Sequence, residues 1–372
     1  MTERSQRVLS SDYMYWAKTR SQARFNLATS GLVNYPLAQL PARIEDIELS
    51  GPSFYGYAPL QQALAAKCGV PEECVVAATG TSMANHLAMA SVLEPGDEVL
   101  VEHPTYELLV SLARYLGARV VRFPRRFEAG FLVEPREVER CATSRTRLIV
   151  LTNLHNPTSV HTPDEVLRQV GEIARGIGAR VLVDEVYLDA MFERASRSAV
   201  HLGEEFIATN SLTKVYGLSG LRCGWALAPP ELARRMWRLN DLFGVIPAHP
   251  AERLSRAALD HLPALADWSR TLLQTNRQLL DSFLDTRADL DWVQTEHGTV
   301  AFPRLKRGDV DALCTLLTER YDTSVVPGKF FEMPRHFRIG IGGETAILAG
   351  GLERLAAALD GIASRVPTEK GG

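Results

Sequence analysis

Between Val75 and Ala228 the chain alternates short apolar runs with helical stretches, and few architectures accept that rhythm. Runs such as Leu148-Ile149-Val150-Leu151 and Val181-Leu182-Val183 are apolar at every position, so both of their faces must be buried. A sheet covered by helices on both sides meets that demand, and strand–helix alternation makes such a sheet mainly parallel. The pattern predicts strands at Val75–Ala78, Glu98–Glu102, Arg119–Phe123, Arg147–Thr152, Arg180–Val183, Phe206–Thr209 and Cys223–Ala228. Thr162-Pro163-Asp164-Glu165 reads as a helix start, with Thr162 as N-cap, Pro163 as first helical residue and Glu165 closing a capping box. Beyond Pro230 the chain turns mostly helical through Leu265–Leu284. An α+β segment follows from Trp292 to Leu359 and ends in an apolar helix, Leu352–Leu359. The fold class is α/β.

Composition narrows the function more than the fold. A net charge of −3 offers no electrostatic case for nucleic acid. The apolar runs fall well short of the ~20 residues a spanning helix needs, and Met1–Arg20 lacks the apolar core of a secretory signal. Five scattered cysteines without a C-x-x-C pair predict neither a disulfide framework nor a metal site, and the expected compartment is the cytoplasm. Gly176-Ile177-Gly178 falls at the end of a helical stretch, not after a first strand, which argues against a nicotinamide fingerprint. Six of the 41 basic residues are lysine. A lysine kept inside a glycine-bounded segment therefore invites a chemical reason, because lysine can lose its proton and act as an amine nucleophile where arginine cannot.

The segment Ser211-Leu212-Thr213-Lys214-Val215-Tyr216-Gly217-Leu218-Ser219-Gly220-Leu221-Arg222 follows one predicted strand and leads into the next. Its amine can form an imine, and its hydroxyl and guanidinium suit a dianionic phosphate. Upstream, Val181-Leu182-Val183-Asp184-Glu185-Val186-Tyr187 ends an apolar strand in a carboxylate, at the sheet edge where α/β proteins bind ligands. Thr79-Gly80-Thr81-Ser82-Met83-Ala84 lies between strand and helix, where glycine lets amides approach an anion and the helix N-terminus adds positive charge. Asn153-Leu154-His155-Asn156-Pro157-Thr158 is a turn, and Phe337-Arg338-Ile339-Gly340-Ile341 a late strand carrying an arginine. Taken singly, each has an ordinary structural reading: a solvated loop lysine, a turn-capping Asp, a glycine turn, a solvated strand Arg.

In this order and spacing, from about Phe25 to Leu359, the motifs resemble the fold-type-I pyridoxal-phosphate enzymes, in the branch of class I/II aminotransferases. The resemblance implies an aspartate aminotransferase-like fold. A large domain with a mainly parallel seven-stranded sheet would span 46–276, and a small α+β domain would be built from both chain ends, 1–45 and 277–372. It makes pyridoxal 5′-phosphate (PLP) the cofactor and Lys214 the lysine that carries it as a Schiff base. Asp184 would pair with the pyridine nitrogen and Tyr187 hydrogen-bond the ring's phenolic oxygen, these three being the catalytic residues. Asn156 would be a second donor to that oxygen, beside the substrate. Gly80, Thr81, Ser82, Ser211 and Arg222 would hold the phosphate, and Tyr106 would stack on the ring. Arg338, with Arg335 as its competitor for the assignment, would grip the substrate α-carboxylate. Relatives also send a tyrosine from the region of Phe54-Tyr55-Gly56-Tyr57 to the neighbouring subunit's phosphate; Tyr57 is the first choice over Tyr55, and a homodimer with shared sites follows.

The implied reaction moves an amino group from an L-amino acid to a 2-oxo acid, with Lys214 carrying the proton between Cα and the cofactor. Dicarboxylate-specific relatives carry an extra arginine before a segment resembling Phe243-Gly244-Val245-Ile246-Pro247. Here Leu239-Asn240-Asp241-Leu242 has none, so a dicarboxylic donor is not expected, and Asp241 faces either a cationic or polar substrate group or solvent. The motifs do not dictate which Cα bond breaks. A lyase, decarboxylase, cyclase or oxidase acting on the same bound amino acid is the alternative.

Overall fold

A computed structural model describes residues 8–44 and 47–363. The first half of the chain contains α1 (Asp12–Thr19), β1 (Phe25–Asn26), α2 (Ala58–Cys68), β2 (Val75–Thr79), α3 (Gly80–Val92), β3 (Glu98–His103), α4 (Glu107–Tyr115), β4 (Arg119–Pro124), α5 (Pro135–Cys141), β5 (Thr146–Thr152), α6 (Asp164–Gly176) and β6 (Arg180–Asp184). The second contains β7 (Phe206–Ser211), β8 (Cys223–Leu227), α7 (Pro230–Asn240), α8 (His249–Asp260), α9 (Leu262–Asp285), β9 (Leu290–Asp291), β10 (Val300–Ala301), β11 (Arg304–Leu305), α10 (Val310–Tyr321), β12 (Thr323–Ser324), β13 (Val326–Pro327), β14 (Phe337–Gly340) and α11 (Thr345–Ala363).

All seven predicted strands form, as β2 to β8, in the order β2-β8-β7-β6-β5-β3-β4. Only β8 runs antiparallel to its neighbours. The apolar runs divide as their period of two requires. In β5, Leu148 and Val150 pack with α3, α4 and α7 on one face. Ile149 and Leu151 pack with α5 and α6 on the other. Each such fully buried side chain contributes roughly 1.5–3 kcal/mol. Strands β6 and β7 outrun their apolar stretches, because backbone pairing continues through Asp184↔Thr209 and Ser211↔Gly224. Polar residues are thereby carried, on strand backbone, to the sheet's C-terminal edge.

The expected capping box before α6 does not form. The helix begins at Asp164 with Pro163 in the N-cap position and no side-chain cap. Thr162 is held elsewhere: its N–H donates to Asn153 Oδ1 at 3.0 Å, and its carbonyl accepts from Asn153 Nδ2 at 3.0 Å. Asn153 thus competes successfully for the backbone that a capping threonine would have turned toward the helix.

In the C-terminal third β14 pairs antiparallel with both β10 and β13. The parallel pairing of β1 with β12, Phe25 opposite Thr323, joins the N-terminal segment to this region. Helix α9 is continuous and links the two sheets. Ser269 donates to the carbonyl of Val215 at 2.6 Å. Two turns on, Asn276 Nδ2 donates to the carbonyls of Ile341 and Gly343 at 2.7 and 2.8 Å. The boundary expected after residue 276 falls inside this unbroken helix, and the one at 46 lies outside the described residues. No helix among the described residues is long and apolar enough to cross a membrane.

Candidate active site

The C-terminal ends of β5, β6 and β7 and the N-terminus of α3 open onto a cavity of about 280 Å³. Most of the residues singled out in the sequence meet there: Thr81, Ser82, Tyr106, Asn156, Asp184, Tyr187, Ser211, Lys214 and Arg222 all line it. The sheet brings strand ends together, and the loop after β7 returns Lys214 over them.

Lys214 is partly buried in the cavity wall. Burial, then the charges of Arg338 and Arg222, lower its pKa to about 8, with Asp184 opposing. An amine so placed has an appreciable neutral fraction near physiological pH, and that fraction can act as nucleophile or base. Its Nζ donates to Ser30 Oγ at 3.2 Å, and the Tyr187 hydroxyl donates to the same oxygen at 2.8 Å. Burial pushes the Tyr187 phenol up to about 12, so it stays a donor. Asp184 is also buried, which raises its carboxyl to about 6 against the hydrogen bonds from Asn85 and the Val186 N–H. Asn85 Nδ2 donates to Asp184 Oδ2 at 2.8 Å, while Thr209 donates to Asn85 Oδ1 at 2.6 Å and fixes the amide's orientation.

A phosphate-sized anion has a ready cradle beside these groups. Gly80 opens α3 with φ +77°, and a Cβ there would collide with the Arg222 guanidinium. Only glycine lets that side chain lie against the helix N-terminus. The hydroxyls of Thr81 and Thr213 are buried without a hydrogen-bond partner. Orphaned donors of this kind next to an arginine and free helix amides fit a bound phosphate. With a lysine of lowered pKa and a buried carboxylate at the other end, the residues present fit pyridoxal phosphate.

Arg338, expected to grip the substrate α-carboxylate, is held by protein groups in this structure. Arg338 lies fully buried behind the cavity wall instead of lining it. Its Nη1 donates to Asn156 Oδ1 at 2.9 Å, and its Nη2 to the Tyr13 hydroxyl at 2.9 Å and the Ala28 carbonyl at 3.1 Å, while Nε has no partner. The Tyr13 hydroxyl, carried on α1, thus stands between Arg338 and the cavity that Tyr13 lines. Arg335, its rival, points elsewhere, to the carbonyls of Leu305 and Lys306. Tyr57 is not brought to its own chain's cavity: its hydroxyl accepts from Arg253 at 3.1 Å and its ring packs against His249. Tyr55 is 42% exposed and also outside it. Asp241 is paired with Arg238 at 3.4 Å and lines none of the cavity.

The motifs missed Tyr13, Ser30, Asn85 and Thr152. Of these, Asn85 left a signal: it is an amide on the buried face of α3, among Thr81, Ala84 and Ala88, where an unpaired polar group would be costly. Thr152 braces the Asn156 turn. Its hydroxyl accepts from the Asn156 N–H at 2.9 Å and donates to Glu102 at 2.7 Å, and Glu102 is in turn paired with the buried Arg125 at 2.7 Å.

An α/β sheet of this order, with a lysine and a buried carboxylate at its C-terminal edge and an anion cradle beside them, defines a PLP-dependent enzyme of the aspartate aminotransferase-like fold. Residues 42–355 match the family described as aminotransferase class I and II, and the chain belongs to it. The family depends on PLP, acts on amino acid and 2-oxo acid substrates and is typically dimeric. Capreomycidine synthase of Streptomyces vinaceus is 30% identical over 340 residues, 87% of each chain. The arginine–pyruvate transaminase AruH of Pseudomonas aeruginosa is 28% identical over 284 residues, 73% of this chain and 71% of its own length. A PLP-dependent aminotransferase from Streptococcus suis superposes with a TM-score of 0.88 at 25% identity, covering 94% of this chain and 96% of its own.

Proposed function

We propose that the protein is an aminotransferase that moves an amino group from an L-amino acid, other than a dicarboxylic one, to a 2-oxo acid. The observation that carries this reading is the meeting of Lys214, Asp184 and Tyr187 in one cavity, with Arg338 directly behind Asn156. Bound there, PLP supplies an aldehyde for amine exchange and a ring that delocalises the electron pair left at the substrate Cα. Lys214 would hold the cofactor covalently and would serve as the base at Cα. Asp184, braced by Asn85, would face the pyridine nitrogen and favour its protonated form. Tyr187 and Asn156 would donate to the phenolic oxygen, and Tyr106 would lie against the ring. Thr81, Ser82, Ser211, Arg222 and the amides that follow Gly80 hold the phosphate. Arg338 receives the α-carboxylate as Tyr13 gives way.

The division into 46–276 and 1–45 with 277–372 is part of the same proposal, supported by the β1–β12 pairing. So is a homodimer. Tyr57 faces away from its own cavity, and Leu49, Phe54, Leu242 and Val245 are exposed on the single chain. Five free cysteines support a reducing cytoplasm as the setting.

Incubation with an amino-acid panel, with and without 2-oxoglutarate, tests the reading. Turnover that needs the oxo acid and yields a new 2-oxo acid is expected. The identity to a capreomycidine synthase favours a second reading, a synthase, cyclase or lyase on the same site. Products formed without any oxo acid would select it.

A further inference from the structure

Ser30 belongs to none of the motifs, yet it stands at the centre of the lysine's surroundings. Its Oγ accepts from Lys214 Nζ at 3.2 Å and from the Tyr187 hydroxyl at 2.8 Å. The residue is buried and lines the cavity. Its place is fixed from several sides. Thr299 Oγ1 donates to the Ser30 carbonyl at 2.7 Å, and the Leu32 N–H donates to the Lys214 carbonyl at 2.8 Å. Between them Gly31 leaves little room, since a Cβ there would stand 3.2 Å from Lys214 Cδ. Residues 30–32 therefore clasp the lysine along both its backbone and its side chain.

The charged groups that act on Lys214 are Arg338, Arg222 and Asp184. None of them hydrogen-bonds Nζ among the described residues; Ser30 does. A neutral amine that donates one N–H to a fixed oxygen has its lone pair turned away from that oxygen. Resting on the functional reading above, we propose that Ser30 is a positioning residue for Lys214: it holds the amine whenever the lysine is not bonded to cofactor and aims its lone pair for proton transfer at the substrate Cα. In the cofactor-free chain Tyr187 donates to the same oxygen, so Ser30 accepts from both partners; when the Tyr187 proton turns to the phenolic oxygen of a bound cofactor, the Ser30–Lys214 bond stays in place.

The test compares the wild-type holoenzyme with Ser30→Ala on one donor amino acid and its α-deuterated form. Loss of one hydrogen bond at the reacting amine lowers kcat about tenfold. KM stays within about twofold, because the carboxylate grip is untouched. The isotope effect on kcat rises as proton transfer becomes the slower step. A second readout needs no cofactor. In the apoenzyme, the pH midpoint for acetylation of Lys214, read by peptide mass spectrometry, shifts down by roughly half to one unit when the ammonium loses its acceptor. Six lysines in the chain make that peptide simple to follow. Ser30→Thr, which keeps the hydroxyl, retains the wild-type midpoint and isotope effect. Unchanged kcat, isotope effect and midpoint in Ser30→Ala would overturn the proposal, as would a fall in melting temperature that parallels the loss of kcat. Absence of a pyridoxyl adduct on Lys214 in the borohydride-treated wild type would instead overturn the functional reading beneath it.

Discussion

The two ends of the cavity are built differently. At the cofactor end, Gly80, Asp184, Ser211, Lys214 and Arg222 come from one continuous stretch, each within a few residues of a strand in a single sheet. At the substrate end, Arg338 meets Tyr13, 325 positions away, and Ala28, 310 positions away, across the pairing of β1 with β12. The first end is preset by a sheet buried on both faces. The second exists only once the chain's extremities have come together, and there both terminal nitrogens of the arginine are already engaged by protein groups. Cofactor capture should therefore survive damage to the substrate end, while substrate binding depends on contacts that must be exchanged.

Replacing Lys214 with alanine attacks the shared reacting group. We expect kcat to fall at least 10²- to 10⁴-fold, the range for a positioned general base, with no pyridoxyl adduct after borohydride. Residual turnover near the wild-type rate would break the comparison at its root. Arg338→Met sharpens it: kcat/KM should drop roughly 10- to 150-fold, as for loss of charge-assisted hydrogen bonds worth about 1.5–3 kcal/mol. The cofactor spectrum should be unchanged, and a variant purified without PLP would show that the ends are not separable. Acidity probes the cofactor end alone. In the cofactor-free chain Asp184 is ionised above about pH 6 because burial raises it. Protonation below that point removes the counter-charge for the pyridinium, so the apparent Kd for PLP should rise by about tenfold per pH unit. A flat titration between pH 5 and 7 would remove Asp184 from that role. The smallest effect belongs to Tyr13→Phe, which deletes the hydroxyl that the substrate has to displace from Arg338. The freed guanidinium re-bonds to water, so the net release corresponds to roughly 2- to 10-fold, and KM should fall by that factor with kcat preserved. A raised KM would mean that Tyr13 helps to bind the carboxylate.

The same asymmetry explains what the sequence disclosed. The seven strands and the residues at their ends were legible because continuous apolar runs and adjacent glycine, hydroxyl and amine groups are local signals. Ser30 and Tyr13 sit in an N-terminal segment with little periodicity, and their roles come from partners nearly 160 to more than 300 positions away. Arg338 was found as a residue but not as a buried one, since burial there depends on α1, which no motif placed. Thr162 misled for a related reason: its local capping signal was sound, but the Asn153 side chain claims both of its backbone groups. The tyrosine expected at a neighbour's phosphate is legible only in an assembly, and a single chain leaves Tyr57 against Arg253.

Helix α9 acts as a strut, stitched to the lysine loop through Ser269 and to the end of β14 through Asn276. Bending it would tear both seams at once. One continuous rod therefore sets the spacing between the loop that carries the lysine and the strand that carries Arg338, so a change at either seam is felt at the other.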